Sequence, residues 1–78
     1  MSWKVKKLEE TEFFIVIGYS KNSSFDGKIK FDKLNESFEL VSVADGCDEF
    51  ESKRLFQFLY TLIAQNTLSF QTYSIKIG

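Results

Sequence analysis

The sequence predicts a small α+β domain: a four-stranded antiparallel meander, one long helix packed on the sheet, and a final strand (β-β-β-β-α-β). Only the stretch from Asp48 to Asn66 keeps a helical period. The rest of the chain consists of short apolar stretches separated by turn residues, which is typical of antiparallel strands. Seventy-eight residues are enough for one domain, residues 1–78, with a thin core.

The first two strands differ in their alternation. From Trp3 to Leu8, apolar residues alternate with lysines, which predicts a half-buried strand at an edge of the sheet. The stretch from Thr11 to Tyr19 is apolar on both faces, which predicts a central strand. Gly18 interrupts one of these faces and indicates a bulge or a close approach of another segment.

Two shorter strands follow a polar stretch. Residues 20–27 end in Asp-Gly, a dipeptide favoured in tight turns, so we expect a hairpin loop there. In the next strand, lysines alternate with Ile29 and Phe31, which we expect to face the core. After a turn of polar residues, the stretch from Ser37 to Val43 forms the fourth strand.

The helical stretch has an apolar face and capping residues at both ends. The apolar face contains Leu55, Leu59, Leu62 and Ile63, and it is widened by Phe56, Phe58 and Tyr60. Asp48 can accept hydrogen bonds from the first turn, and Glu51 stands three residues later, as in a capping box. Asn66 suits a left-handed position at the carboxyl end. Beyond it, residues 68–77 predict a last strand whose change of parity indicates a kink near Gln71.

Composition indicates where the protein acts. Cys47 is the only cysteine, so no internal disulfide can form, which fits a reducing compartment. The first residues lack the apolar run of a signal peptide, and no stretch reaches the ~18 apolar residues of a membrane span. Abundant Lys, Phe and Ile with no Pro or His resemble coding from an AT-rich genome. We expect a cytoplasmic protein of a low-GC bacterium, or a phage protein in the host cytoplasm, with no membrane association.

The residue types argue against an enzyme. Without histidine, the chain lacks the usual general base near neutral pH and any Ser-His or Cys-His pair. Cys47 precedes a helix, a position that can lower a thiol pKa, but the neighbouring Asp45 and Asp48 disfavour the thiolate. The glycines are scattered singly, so there is no phosphate-binding loop. The carboxylates before the helix do not match an EF-hand. We expect no catalytic residue, no cofactor and no metal.

The distribution of charge leads to the main functional hypothesis. Between Leu34 and Ser52 there is no Lys or Arg. This interval holds six acidic residues, here called the acidic strip: Glu36, Glu39, Asp45, Asp48, Glu49 and Glu51. Complementary charge steers the encounter of two proteins. The strip predicts a small non-catalytic binding protein, such as an inhibitor, immunity or anti-defence protein, that docks on a partner with a basic surface. The competing interpretation is a solvated acidic face.

The alternative hypothesis is a single-stranded nucleic-acid-binding protein. Lys28, Lys30 and Lys33 lie close in sequence to Phe25 and follow a strand rich in aromatic residues. Aromatic side chains on a sheet, flanked by lysines, can stack single-stranded bases. The net charge of −1 argues against a general polyanion binder, so nucleic acid is a partner only in this alternative.

Surplus apolar area leads to a third expectation. One helix covers only one face of a sheet, whereas the second strand is apolar on both faces. Unless the sheet curls into a partial barrel, an apolar face is left over, and such faces commonly mark interfaces. This predicts a homodimer or a partner contact. The sequence leaves open whether the last strand pairs within its own chain or with a neighbouring chain.

Overall fold

The computed structural model describes residues 2–21 and 25–76. Its elements follow the predicted order: β1 Ser2–Glu10, β2 Phe14–Ser20, β3 Gly27–Asp32, β4 Ser37–Ser42, α1 Glu49–Ala64 and β5 Tyr73–Lys76. The strands form one sheet in the order β4-β3-β2-β1-β5, and all neighbours are antiparallel. The predicted α+β fold, a meander followed by a helix and a final strand, is confirmed.

The last strand returns to the far side of the meander. β5 pairs with β1 of the same chain, with Val5 opposite Tyr73. β1 is therefore an interior strand, and the prediction of an edge position for it is wrong. β5 is also shorter than expected, because residues 67–72 run outside the sheet, with bends at Phe70 and Gln71 near the predicted kink.

The core lies between one face of the sheet and one face of the helix. Alternate residues of a strand point to the same side, and the register places Ile17 opposite Ile29 and Ile15 opposite Phe31. β2 is central, and Ile29 and Phe31 point to the core, as predicted. The helix covers these side chains with residues that recur at helical spacing and are all buried: Leu55, Leu59 and Leu62.

A buried hydroxyl connects the central strand to the start of the helix. Tyr19 is fully buried, and its phenolic oxygen accepts a hydrogen bond from the backbone N–H of Ala44 at 3.1 Å. The same hydroxyl donates to Ser52 Oγ at 2.6 Å, and Ser52 Oγ donates to the carbonyl of Asp48 at 2.9 Å. This chain of hydrogen bonds holds the β4–α1 connection and the first helical turn against β2.

Gly27 makes room for the Tyr19 ring. The two residues are directly opposite each other in β3 and β2. A Cβ atom on Gly27 would lie 2.4 Å from Cε1 of Tyr19, which is closer than any real Cβ contact. The space taken by the ring therefore explains why this residue is a glycine. Gly27 is the first residue of β3, so the interpretation of it as a turn residue is wrong. Residues 22–24 of the expected hairpin loop lie outside the described residues.

Both ends of the helix are capped as predicted. The Asp48 carboxylate accepts a hydrogen bond from the Glu51 N–H at 2.7 Å. Asn66 has a φ of 56° in the left-handed region, and its N–H donates to the carbonyl of Ile63. The Glu51 carboxylate contacts the Lys21 ammonium at 3.1 Å, which ties the chain after β2 to the first helical turn.

We expect Tyr19→Phe to lower the free energy of unfolding by about 1–3 kcal/mol. The buried groups that hydrogen-bond to the Tyr19 hydroxyl lose their partner, while the aromatic ring stays in place. Urea denaturation followed by circular dichroism measures the change. Tyr60→Phe is the matched control, since Tyr60 is 45% exposed on the helix, and its effect should stay within about 0.5 kcal/mol. Equal stability of Tyr19→Phe and the original chain would contradict the role assigned to this hydroxyl.

Candidate interaction surfaces

The face of the sheet that the helix leaves uncovered carries most of the lysines. The register places Lys28 opposite Gly18, Gly18 opposite Lys6, and Lys4 opposite Ser74. Five of the nine lysines share this face, here called the lysine face: Lys4, Lys6, Lys28, Lys30 and Lys76. Lys4 and Lys6 of β1 therefore line an open sheet surface, and they do not protect an edge.

Two phenylalanine rings lie beneath lysines of this face. The Lys30 Nζ atom is 4.6 Å from the centroid of the Phe14 ring. The Lys6 Nζ atom is 4.5 Å from the centroid of the Phe25 ring. An ammonium over an aromatic face is attracted by the ring quadrupole. The rings are thus covered by charge in this structure, and the lysine face combines aromatic surface with positive potential.

Leu8 fills the middle of the lysine face. A Cβ atom on Gly18 would lie 3.1 Å from the Leu8 side chain, which is the close approach that the sequence predicts. The accompanying irregularity lies in β1, where the register shifts between Lys7 and Glu9. The uncovered face therefore carries the partly exposed apolar side chains Leu8, Phe14 and Val16 between its lysines, as the alternation of β2 predicts.

Acidic side chains lie among the lysines at the end of the lysine face where β2 begins and β3 finishes. Lys30 lies opposite Glu39, and Asp32 lies opposite Phe14 near the same end. Toward the other end, Lys28 lies opposite Ser42, and Lys4 lies opposite Ser20. Asp26 directly precedes β3 at that end, so acidic residues lie near both ends of the lysine face.

The residues of the nucleic-acid alternative separate into two places. Lys28 and Lys30 belong to the lysine face, and Phe25 lies under Lys6 beside them. Lys33 lies in the β3–β4 turn, where its ammonium is 2.7 Å from the Glu10 carboxylate. The structure therefore brings three of the four predicted residues together.

A cleft surrounds the Glu10 carboxylate on the helix side of the sheet. Lys7 contacts this carboxylate at 2.6 Å and Lys33 contacts it at 2.7 Å, and the cleft floor includes Ile15 and Phe31. Hydrogen bonds from Lys33 and then Lys7 hold the pKa of Glu10 below its ordinary value. The two ammonium groups are thus already bound to a carboxylate of the same chain.

The acidic strip is not one continuous patch. Glu36 and Glu39 lie at the start of β4, whereas the other four residues lie beyond its end, in the following loop and the first turn of α1. Glu36 is separated from the second group by the whole of β4, roughly 20 Å, whereas Glu39 lies within the strand, about 10 Å from its end. In the second group, Asp48 caps the helix, Glu49 contacts Lys53 at 2.8 Å and Glu51 contacts Lys21. The six residues are close in sequence, but in the structure they do not form a single surface that could contact a partner as a unit.

Aromatic side chains are exposed on the helix. Phe50 is 74% exposed and Phe58 is 39% exposed, and both line a shallow hollow with Lys53 and Arg54. Phe58 and Tyr60 are therefore not part of the core face to which the helical period assigns them. The helical period gives the direction in which a side chain points, but it does not show how far the core extends along that face. It therefore cannot show that these two side chains are exposed.

A second apolar hollow lies between the helix and β4. The Phe56 ring stacks on the Phe38 ring, with centroids 5.0 Å apart and planes 18° apart. The hollow, here called the helix–edge groove, is lined by Phe38, Phe56, Gln57, Tyr60 and Thr61. Because β4 is an edge strand, the groove lies open along the side of the sheet.

Cys47 lies half-buried before the helix. Burial raises the pKa of its thiol; the charge of Lys21 opposes this, and smaller effects of Glu51, Asp26 and Asp48 add to the increase. Within residues 2–21 and 25–76, no group of three His, Cys, Asp or Glu side chains is placed to hold a metal ion. In the same ranges, no helix is long and apolar enough to cross a membrane.

Three kinds of surface result: the lysine face, the two acidic groups and the helix–edge groove with its exposed phenylalanines. Comparison with protein-family models, with curated proteins and with solved structures finds no match. The geometry defines a small α+β domain that presents different chemistry on the two sides of its sheet.

We expect Glu10→Gln to lower the free energy of unfolding near neutral pH, because two ammonium groups lose their carboxylate. The pKa of Glu10 is lower in the folded protein than in the unfolded chain. The stabilisation is therefore fully present above the pKa that Glu10 has in the unfolded chain, and it is lost as the pH falls through the lower pKa of the folded protein. Urea denaturation at a series of pH values should therefore show the two proteins converging in acid. Glu12→Gln, at an exposed turn residue, is the control. A difference that stays constant down to low pH would contradict this assignment.

Proposed function

We propose that this chain is a small non-catalytic binding protein that acts by protein–protein contact. An inhibitor, immunity or anti-defence protein of a low-GC bacterium or phage, working in the bacterial or host cytoplasm, fits this description. The observation that carries the proposal is the aromatic surface on the outer side of the helix and in the helix–edge groove. Aromatic residues provide much of the binding energy at protein interfaces.

The two acidic groups indicate the charge of the partner. Glu36 precedes β4, Glu39 lies within it and Asp45 lies beyond its end, so acidic residues follow the edge strand beside the helix–edge groove. Such an arrangement favours a partner with a basic surface and raises the rate of encounter. The residues that cap the helix or form ion pairs contribute to this field, although their first role is within the fold.

The matching test is affinity capture from a nuclease-treated lysate of a low-GC bacterium, with the complete chain as bait. We expect Phe50→Ser combined with Phe58→Ser to weaken retention of the partner about tenfold or more, because exposed aromatic area is lost. Phe13→Ser is the control, since Phe13 is 66% exposed in the β1–β2 turn. Retention that is equal for all three baits, or no specific protein retained, would contradict the proposal.

The contribution of the acidic residues can be tested by measuring binding to the partner that the affinity capture identifies. Asp45→Lys combined with Glu49→Lys leaves the capping residue Asp48 in place, so the helix keeps its N-cap. This double variant should slow association and reduce its dependence on salt, with little change in dissociation.

A second candidate function is single-stranded nucleic-acid binding, and one observation favours it. The lysine face places five lysines around the Phe14 and Phe25 rings on an uncovered sheet. Phosphates of a strand lying across the sheet would meet the ammonium groups, and bases would stack on the rings. Lys6 and Lys30 would have to leave the rings to bind phosphates, which exchanges one favourable contact for another.

Fluorescence anisotropy with a labelled oligothymidine tests this candidate. Lys4→Glu combined with Lys28→Glu should abolish binding, because the charge of two ammonium groups on the lysine face is reversed. Lys53→Glu combined with Arg54→Glu on the helix makes the matched charge control and should bind normally. The affinity of the original chain should fall steeply with salt. Absence of binding at low salt would exclude this candidate.

A further inference from the structure

We propose that β4 accepts an extended segment of the partner protein as a sixth strand of the sheet, and that this segment alternates basic and apolar side chains. The inference rests on the proposed function, since it describes how a protein partner is held. It concerns the outer side of β4 and the helix–edge groove beside it.

The first argument is that β4 is an edge strand whose register irregularity is confined to the neighbourhood of Val41, which leaves the pairing from Ser37 to Leu40 regular. It stands at one end of the strand order, so its outer side presents backbone N–H and C=O groups to an incoming strand. Its sequence, Ser37–Ser42, contains neither lysine nor proline, the residues that commonly block such edges. Val41 is 53% exposed on this strand. Strand addition to an edge of this kind supplies affinity through main-chain hydrogen bonds.

The second argument is the apolar groove on the helix side. Residues of an added strand opposite Phe38 and Leu40 would point toward the helix, because directly opposed residues share a face. There the groove continues past Phe38 to Phe56 and to Tyr60, which is 45% exposed. Apolar side chains at these alternate positions would be buried between β4 and α1.

The third argument is charge on the other face. Glu39 points to the uncovered side of the sheet, where its inner neighbour is Lys30 of β3. A basic residue opposite Glu39 on the outer side would complete the same kind of pair, and opposite charges across a strand pair are favourable. Glu36 is exposed at the start of β4 and adds to the negative field. The intervening positions of the added strand are therefore basic.

The chain already contains a strand of this pattern. In β3, Lys30 lies opposite Glu39, Phe31 opposite Phe38, and Ile29 opposite Leu40. The added segment would repeat on the outer side of β4 the pairing that β3 makes on the inner side. A second copy of this chain fits less well: the antiparallel register centred on Glu39 sets two carboxylates opposite each other, and the register centred on Leu40 sets Glu39 opposite Val41, so neither gives Glu39 a basic neighbour.

The probe is a synthetic peptide of alternating pattern, GKIKFKVKG, titrated into the isotope-labelled complete chain. Its control has the same composition with the lysines grouped at one end, so charge is kept and alternation is lost. We expect the alternating peptide to bind about tenfold or more tighter. Amide chemical-shift changes should concentrate in β4 and in the helix segment of the groove, and amides of β4 should gain protection from hydrogen exchange.

Variants of the protein locate the contact. Glu39→Lys should weaken binding of the alternating peptide about tenfold, because a like charge replaces the favourable pair. Glu12→Lys makes the same charge change in an exposed turn and should bind normally. Tyr60→Ser tests the groove without altering the sheet, and it should weaken binding in the same direction. Unfolding curves confirm that each variant is folded.

Several results would overturn the inference. These are equal binding of the two peptides, shifts confined to the lysine face, or binding insensitive to both Glu39→Lys and Tyr60→Ser. Concentration-dependent shifts in β4 without peptide would instead show that a second copy occupies the edge. If affinity capture retains a partner but the alternating peptide does not bind, strand addition is wrong and the proposed function stands. If the peptide binds and no protein is captured, the edge site stands and the proposed function is wrong.

Discussion

The Tyr19 hydroxyl fixes how the helix sits on the sheet. It lies at the end of the central strand, fully buried, and it has to be satisfied there because a buried hydroxyl without a partner destabilises the folded state. Its partners belong to the β4–α1 connection and to the first helical turn, so the start of the helix is held over β2. Gly27 is part of the same constraint, since any side chain at that position would displace the ring. The leucines of the helix then cover the remaining core.

The elements themselves follow from local sequence. Helical spacing, the capping residue Asp48 and the left-handed residue Asn66 act within a few residues, and so the helix could be predicted with both ends. The order of the strands along the chain and the central position of β2 could also be predicted, because alternation reports burial on one or two faces. The position of β1 could not, because it depends on where the chain returns after the helix. That return is decided by long-range pairing with β5, for which no local pattern exists.

Surfaces were less accessible to sequence reasoning than elements, for two physical reasons. Residues close in the chain can lie far apart in space, as the separation of Glu36 and Asp45 by the whole of β4 shows. Residues far apart in the chain can share a face, as Lys4, Lys28 and Lys76 do through the register of three strands. Although the net charge is near zero, the molecule has a basic sheet face, and acidic residues lie along and beyond its edge strand β4. Since the helix and the lysine face lie on opposite sides of the sheet, occupation of one leaves the other accessible.

The position of Trp3 has a practical consequence. It is the only tryptophan, it is 3% exposed, and its ring centroid lies 6.1 Å from that of Tyr19. Excitation energy absorbed by the chain's tyrosines can be transferred to this indole. Its fluorescence emission shifts to longer wavelength when water enters the core. The protein thus contains an intrinsic optical reporter beside the buried hydroxyl, away from the helix–edge groove, so its signal distinguishes loss of the fold from occupation of the edge.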